Sequence, residues 1–182
     1  MIIAITGRAG AGKTTMAAMI EKATGGKVKV RSFKEPLAAM LSSIGLDIDT
    51  QEQKKMTTDI VAQEQHRKAG CDTQGRFLTR RGLAQFLATD LIRKQLDNDF
   101  FIKRALKGED NVVFDDLRFY NESQEIIKAG GVIIKIEREC LQNYSQHESE
   151  DIDVSYDKIF FNNYDLDEME KFVQKLLIEL NF

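Results

Sequence analysis

Nine residues near the start of the chain, Gly7-Arg8-Ala9-Gly10-Ala11-Gly12-Lys13-Thr14-Thr15, fit the spacing G-x-x-x-x-G-K-[ST]. The residue types suit a chain of phosphates. Glycines let backbone N–H groups converge on an anion, and a lysine directly after the last of them reaches the outer phosphates. The next side chain, the Thr14 hydroxyl, is an oxygen ligand of the kind Mg²⁺ takes. Gly10, Ala11, Gly12, Lys13, Thr14 and Thr15 are therefore expected to hold a nucleoside triphosphate and its Mg²⁺.

Further candidates lie far away in sequence. Val112-Val113-Phe114-Asp115-Asp116 is an apolar run ending in two carboxylates, the arrangement that places acids at the ligand-binding edge of a parallel sheet. Asp115 continues the run directly and is the favoured Mg²⁺ residue, while Asp116 suits a turn cap. Arg118 follows, with a planar fork matched to phosphate. Arg81, Gln85, Thr89 and Arg93 fall at successive i, i+4 steps and line one helix face beside the apolar Leu83, Phe86, Leu87 and Leu91. Such a row suits an anionic ligand with a polar ring, or a solvated surface. Arg138 precedes a polar stretch, Glu139 to Ile152, that reads as a lid or as a plain loop.

These side chains need a scaffold. Five β-rich segments are expected at Ile2–Thr6, Val28–Phe33, Val112–Asp116, Val132–Glu137 and Lys158–Asn162. Three of them are continuous apolar runs, as in parallel strands covered on both faces. Helical patterns between them imply right-handed βαβ units. One helix follows the glycine-rich loop. A second is expected from Asn121, with Gln124 as capping partner, to Gly130-Gly131. A third has Asp165 as cap and an apolar face of Leu166, Met169, Phe172, Val173, Leu176, Leu177 and Leu180. Residues 37–107 show no convincing strand and read as a helical insertion (Leu37–Ile44, Gln51–Ala69 and Leu83–Leu96) within a single domain, 1–182.

Composition narrows the function class. With 42% hydrophobic and 30% charged residues, the chain fits a globular protein with a full core. No apolar run approaches the roughly 20 residues needed to span a bilayer, and Ile2–Thr6 lacks the basic leader of an export signal. Cys71 and Cys140 are far apart, which fits a reducing, cytoplasmic setting, and neither pairs with His66 or His147 at metal-ligand spacing. Eight Lys/Arg face three acids between Arg76 and Lys107, but from Glu137 to Glu170 acids outnumber bases eleven to two. That distribution argues against a nucleic-acid polymer as partner and leaves room for a local cationic cluster around one small anion.

Five segments together resemble the bacteriophage-type deoxynucleoside monophosphate kinases, within the nucleoside monophosphate kinase group of P-loop proteins. They are Gly7–Thr14; Ser32-Phe33-Lys34-Glu35-Pro36-Leu37; Arg80–Arg93; Asp115-Asp116-Leu117-Arg118-Phe119-Tyr120-Asn121-Glu122; and His147-Glu148-Ser149-Glu150. The resemblance implies a three-layer P-loop NTPase fold, with a five-stranded, mostly parallel sheet and an acceptor-binding helical insertion. It implies transfer of the γ-phosphoryl of ATP, with Mg²⁺, to a deoxynucleoside 5′-monophosphate, by a monomer or homodimer in the cytoplasm (of a host cell, if phage-encoded). Lys13, Arg118 and Arg138 would be catalytic, and Thr14 and Asp115 would hold the metal. Arg118, Arg93 and one of Arg80/Arg81 would grip the acceptor phosphate, with Gln85, Thr89 and Lys34 nearby. Phe33 would stack on the acceptor base or else belong to the core. Lys34-Glu35, where the family has a small residue and Asp, and Asp90, where it often has Glu, bear on base preference rather than on the reaction. A phosphate-loop kinase of another small acceptor, such as dephospho-coenzyme A, is the nearest rival, and a non-catalytic nucleotide-binding regulator the next.

Overall fold

The computed structural model describes residues 1–63, 70–72, 74–108, 110–138, 154–163 and 165–182. In chain order its elements begin β1 (Ile2–Thr6), α1 (Lys13–Ala23), β2 (Lys29–Arg31), α2 (Glu35–Ser42), α3 (Gln51–Lys55), β3 (Thr57–Val61) and β4 (Phe77–Thr79). There follow α4 (Arg80–Gln85), which runs into a π-helical segment at Phe86–Leu96, then α5 (Phe100–Ala105), β5 (Val112–Phe114), α6 (Tyr120–Lys128), β6 (Val132–Glu137), β7 (Lys158–Phe161) and α7 (Leu166–Glu179). Two compact units result: Met1–Phe33 with Ala105–Phe182, and Lys34–Arg104.

The first unit is built on a five-stranded sheet of order β2-β5-β1-β6-β7, parallel throughout. Side chains alternate across it. Ile3, Ile5, Val113, Ile134, Ile136 and Phe160 form one buried layer with Met16, Ala17 and Ile20 of α1 and Met169, Val173, Leu176 and Leu177 of α7. On the opposite face α6 packs over β1 and β6, where Ile126 is fully buried. Each such apolar side chain contributes about 2 kcal/mol on burial, and α/β/α layering is the outcome for strands apolar on both faces.

Parallel pairing has a consequence for function. The chain leaves β1 at Gly7, β2 at Ser32, β5 at Asp115, β6 at Arg138 and β7 at Asn162, and all five exits lie at one edge of the sheet.

All five expected strands are present, with β2, β5 and β7 one to three residues shorter than the sequence suggested. Asp165 caps α7 as expected, its carboxylate accepting from the N–H groups of Asp167 and Glu168. Leu166 departs from the expected core face and is 58% exposed, because it lies in the first turn before the helix meets the sheet. α6 begins at Tyr120 rather than Asn121, and Glu122, not Gln124, reaches back to its start.

The second unit differs more from expectation. Of the helix expected over Gln51–Ala69, only residues 51–55 are helical among the described residues, as a single capped turn, α3, in which Thr50 and Gln53 bond reciprocally, and residues 64–69 lie outside the described residues. At Met56 the chain turns extended and becomes β3, paired antiparallel with β4 (Thr57↔Thr79, Val61↔Phe77). Four of the five residues of β3, Thr57, Thr58, Ile60 and Val61, are β-branched, and a partner strand 16 to 22 residues on decides in favour of sheet. Helix does run through Leu83–Leu96, but from Phe86 it winds with i→i+5 bonding, which puts more residues in each turn. The deeply buried position accordingly falls on Ile92 rather than the expected Leu91.

Candidate active site

Gly7 opens the loop after β1 at φ 143, where a Cβ would stand 2.4 Å from the Ile136 carbonyl oxygen of β6. Gly12 closes it at φ 107, where a Cβ would stand 2.6 Å from the Asn162 amide nitrogen. These are the two fixed glycines of the motif, and at each a left-handed backbone and a close neighbour exclude a side chain. α1 starts at the next residue, so its first N–H groups, which have no partner within a helix, face the loop.

Lys13 folds across that loop. Its ammonium donates to the Gly7 and Arg8 carbonyls at 2.8 and 2.9 Å. Thr14 Oγ1 donates to Asp115 Oδ2 at 2.7 Å, joining the first turn of α1 to the end of β5. Arg138, just past β6, donates to the Gly10 carbonyl at 2.7 Å. Exits from three strands thus converge on one loop.

The two adjacent carboxylates separate by role. Asp115 faces the Thr14 hydroxyl, whereas Asp116 accepts from the Ser32 hydroxyl and, at 3.0 Å, from the Phe33 backbone N–H. Asp116 is therefore the clamp between the ends of β5 and β2. Oxygen donors on Thr14 and Asp115 fit Mg²⁺, which takes one or two protein oxygens and completes its shell with water and phosphate. Among the described residues there is no group of three or more His, Cys, Asp and Glu arranged to hold a metal.

Phe33 is only 2% exposed. Its ring stacks on Phe114 with centroids 4.4 Å apart and planes 17° from parallel. Of the two alternatives for this ring the structure shows burial in the core, where the ring at the end of a neighbouring strand supplies an apolar face. Arg118 is exposed. Its backbone N–H, and that of Phe119, both donate at 3.1 Å to the carboxylate of Glu122, which is 1% exposed.

Within the insertion, Arg80 Nη1 donates to the Asp47 carbonyl at 2.9 Å and ties down the connection before α3. Arg81 is exposed and touches Gln51 Oε1 at 3.4 Å. Gln85, the last residue of α4, is exposed, and Thr89, on the π-helical segment, is half-buried. Arg93 lies over the Phe101 ring, 5.1 Å from its centroid, and donates to the Asn98 carbonyl at 3.4 Å. Lys34 is exposed at the cap of α2. The stretch Glu139 to Ile152, with Cys140 and the element His147-Glu148-Ser149-Glu150, lies outside the described residues, as does His66.

Comparison with known proteins decides the family. The chain is 31% identical to a protein of Acanthamoeba polyphaga mimivirus named "Putative deoxynucleotide monophosphate kinase". The match runs over 196 aligned positions and covers 92% of this chain and 91% of the relative. The chain belongs to the deoxynucleotide monophosphate kinase family. No family model matches it. Among solved structures, shikimate kinase from Aquifex aeolicus is similar, with a TM-score of 0.50, 17% identity, and coverage of 100% of this chain and 96% of that one. That likeness concerns the fold alone, and it is the fold of a P-loop kinase.

Two residues of this kinase family member escaped sequence reasoning. Glu122 belonged to a quoted motif but had no stated task, and its burial under Arg118 and Phe119 supplies one. Asn162, 7% exposed at the end of β7, bonds the Ala11 carbonyl of the loop. Its only sequence signal was a polar residue ending the expected strand Lys158–Asn162, which is too common to single out.

Proposed function

We propose that this protein transfers the γ-phosphoryl group of ATP to a deoxynucleoside 5′-monophosphate, giving ADP and the deoxynucleoside diphosphate. The observation that carries the reading is the convergence of Lys13, Thr14, Asp115 and Arg138 on one glycine-rich loop, in a chain 31% identical to the mimivirus relative. An acceptor phosphate oxygen forms a new bond to the γ-phosphorus as the bond from that phosphorus to the β,γ-bridging oxygen breaks, and ADP leaves with the electron pair. The acceptor oxygen carries negative charge near neutral pH, so no general base is required, and catalysis comes from position and charge.

The loop N–H groups and the start of α1 hold the donor phosphates. Lys13 exchanges the Gly7 and Arg8 carbonyls for β- and γ-phosphate oxygens, and Arg138 exchanges the Gly10 carbonyl for donor phosphate. Thr14 and Asp115 would hold Mg²⁺, which when bound offsets charge on the β,γ-oxygens. Arg118, Arg93 and Arg81 bind the acceptor phosphate in this reading, with Gln85, Thr89 and Lys34 toward the sugar and base. Arg80, already committed to the Asp47 carbonyl, takes the supporting place of its pair. In this reading residues 37–107 form the acceptor-binding insertion, and the enzyme works in the cytoplasm.

A coupled assay of ADP release across deoxynucleoside monophosphates, their ribose counterparts, dephospho-coenzyme A and shikimate tests this. ADP formation dependent on a deoxynucleoside monophosphate supports the reading. Turnover on another acceptor alone, or binding of ATP without turnover on any, contradicts it.

A further inference from the structure

We propose that Asn162 is a positioning residue of the phosphate loop, holding the Ala11–Gly12 peptide so that the Gly12 N–H faces the donor phosphates. The proposal rests on the donor-site reading given above.

Asn162 is the first residue past β7 and extends the ladder by one rung, its backbone N–H donating to the Glu137 carbonyl at 2.8 Å. The side chain is thereby fixed by the sheet, while Nδ2 donates to the Ala11 carbonyl at 2.6 Å. A carbonyl oxygen only accepts, so the amide must present its NH₂ to Ala11. In a trans peptide the C=O and the following N–H point to opposite sides. Drawing the Ala11 oxygen toward β7 therefore turns the Gly12 N–H the other way, into the loop.

The other loop carbonyls show why this bond matters. Gly7 and Arg8 accept from Lys13, Arg8 also from the Ala11 N–H, Gly10 from Arg138, and Gly12 from the Met16 N–H of α1. Carbonyl oxygens turned inward would repel phosphate, so tying these oxygens to other partners favours the anion. Lys13 and Arg138 are cations that a triphosphate draws to itself. Asn162 is neutral and buried, so its bond to the loop persists when the anion arrives. Gly12 is fitted to this contact, since a Cβ there would meet the same amide nitrogen at 2.6 Å.

The test compares wild type with Asn162→Ala, Asn162→Asp and Asn162→Ser, by calorimetric titration with MgATP and with inorganic tripolyphosphate. Steady-state constants for the acceptor and melting without nucleotide are measured alongside. Loss of the donor leaves the Ala11 carbonyl unsatisfied, so Asn162→Ala weakens MgATP and tripolyphosphate alike by about tenfold. Asn162→Asp, which sets oxygen against oxygen, weakens both at least as much, and Asn162→Ser, which restores a donor, falls between alanine and wild type. The KM for the acceptor at saturating ATP stays at the wild-type value. Should Asn162→Ala fail to fold, Asn162→Asp keeps the shape and carries the same comparison. A wild type that binds neither ligand contradicts the donor-site reading itself. A wild type that binds both, with the variants within about twofold of it, overturns the role of Asn162 alone. So does a loss confined to MgATP, which would place Asn162 at the base.

Discussion

The Thr14 hydroxyl donates to the Asp115 carboxylate across 2.7 Å, although the two residues are 101 positions apart in sequence. Thr14 is delivered by the first turn of α1 and Asp115 by the end of β5, and the parallel pairing of β5 with β1 brings them to one edge. Their neighbours do different work, which gives distinct expectations for each.

Lys13→Ala removes a charge that offsets the developing β,γ-negative charge. We expect kcat to fall by about a thousandfold or more. The half-exposed side chain bonds carbonyls of its own loop, so thermal melting without nucleotide should stay near wild type. Coupled ADP release and circular dichroism check both, and a near-normal rate would remove the donor half of the account.

Asp115→Asn and Asp116→Asn should separate metal use from stability. The first raises the Mg²⁺ concentration for half-maximal rate and leaves melting little changed. The second weakens the bonds to the Ser32 hydroxyl and Phe33 N–H, lowers stability by about 1–3 kcal/mol and leaves the Mg²⁺ requirement alone. Denaturant unfolding and Mg²⁺ titration of the rate together decide it.

Glu122→Gln keeps the shape of a buried side chain but gives up the charge that receives two N–H groups. We expect a loss of about 1–3 kcal/mol in unfolding free energy. Because one of those N–H groups is that of Arg118, the KM for the acceptor should rise while the KM for ATP holds. Equal changes in both KM values would argue that Glu122 serves the fold alone.

Asp97 supplies a pH expectation. Its carboxylate accepts from the Asp99 backbone N–H at 2.9 Å and from the Lys103 ammonium. The backbone bond first, and then Lys103, holds its pKa below the usual aspartate range. A group depressed in the folded state contributes stability above its unfolded pKa and loses it as pH falls through the folded value. NMR titration should therefore place the Asp97 midpoint below that of the unfolded chain, and salt should narrow the difference because the group is solvent-exposed.

Much of the nucleotide-binding unit was legible in sequence because its signals are local. A buried parallel strand is a continuous apolar run, as in Ile2–Thr6 and Val132–Glu137, and the loop's glycines stand at fixed spacing. The β3–β4 hairpin was not legible, since Gln51–Lys55 favours helix and the strand after it depends on a distant partner. Ile92 took the buried place expected of Leu91 because π winding changes the number of residues per turn. Glu122 and Asn162 work through backbone groups of other residues, a relation that neither residue type nor spacing reveals.

Transfer between two nucleotides at Lys13 is tested most directly by following both products of one reaction. The purified protein is given MgATP labelled at the γ-phosphate and a panel of deoxynucleoside monophosphates, beside the Lys13→Ala variant. The account predicts label appearing in a deoxynucleoside diphosphate, one equivalent for each ADP formed, and no such product from the variant. ADP formed with the label in inorganic phosphate, or nucleotide bound with no labelled diphosphate from any acceptor, would contradict it.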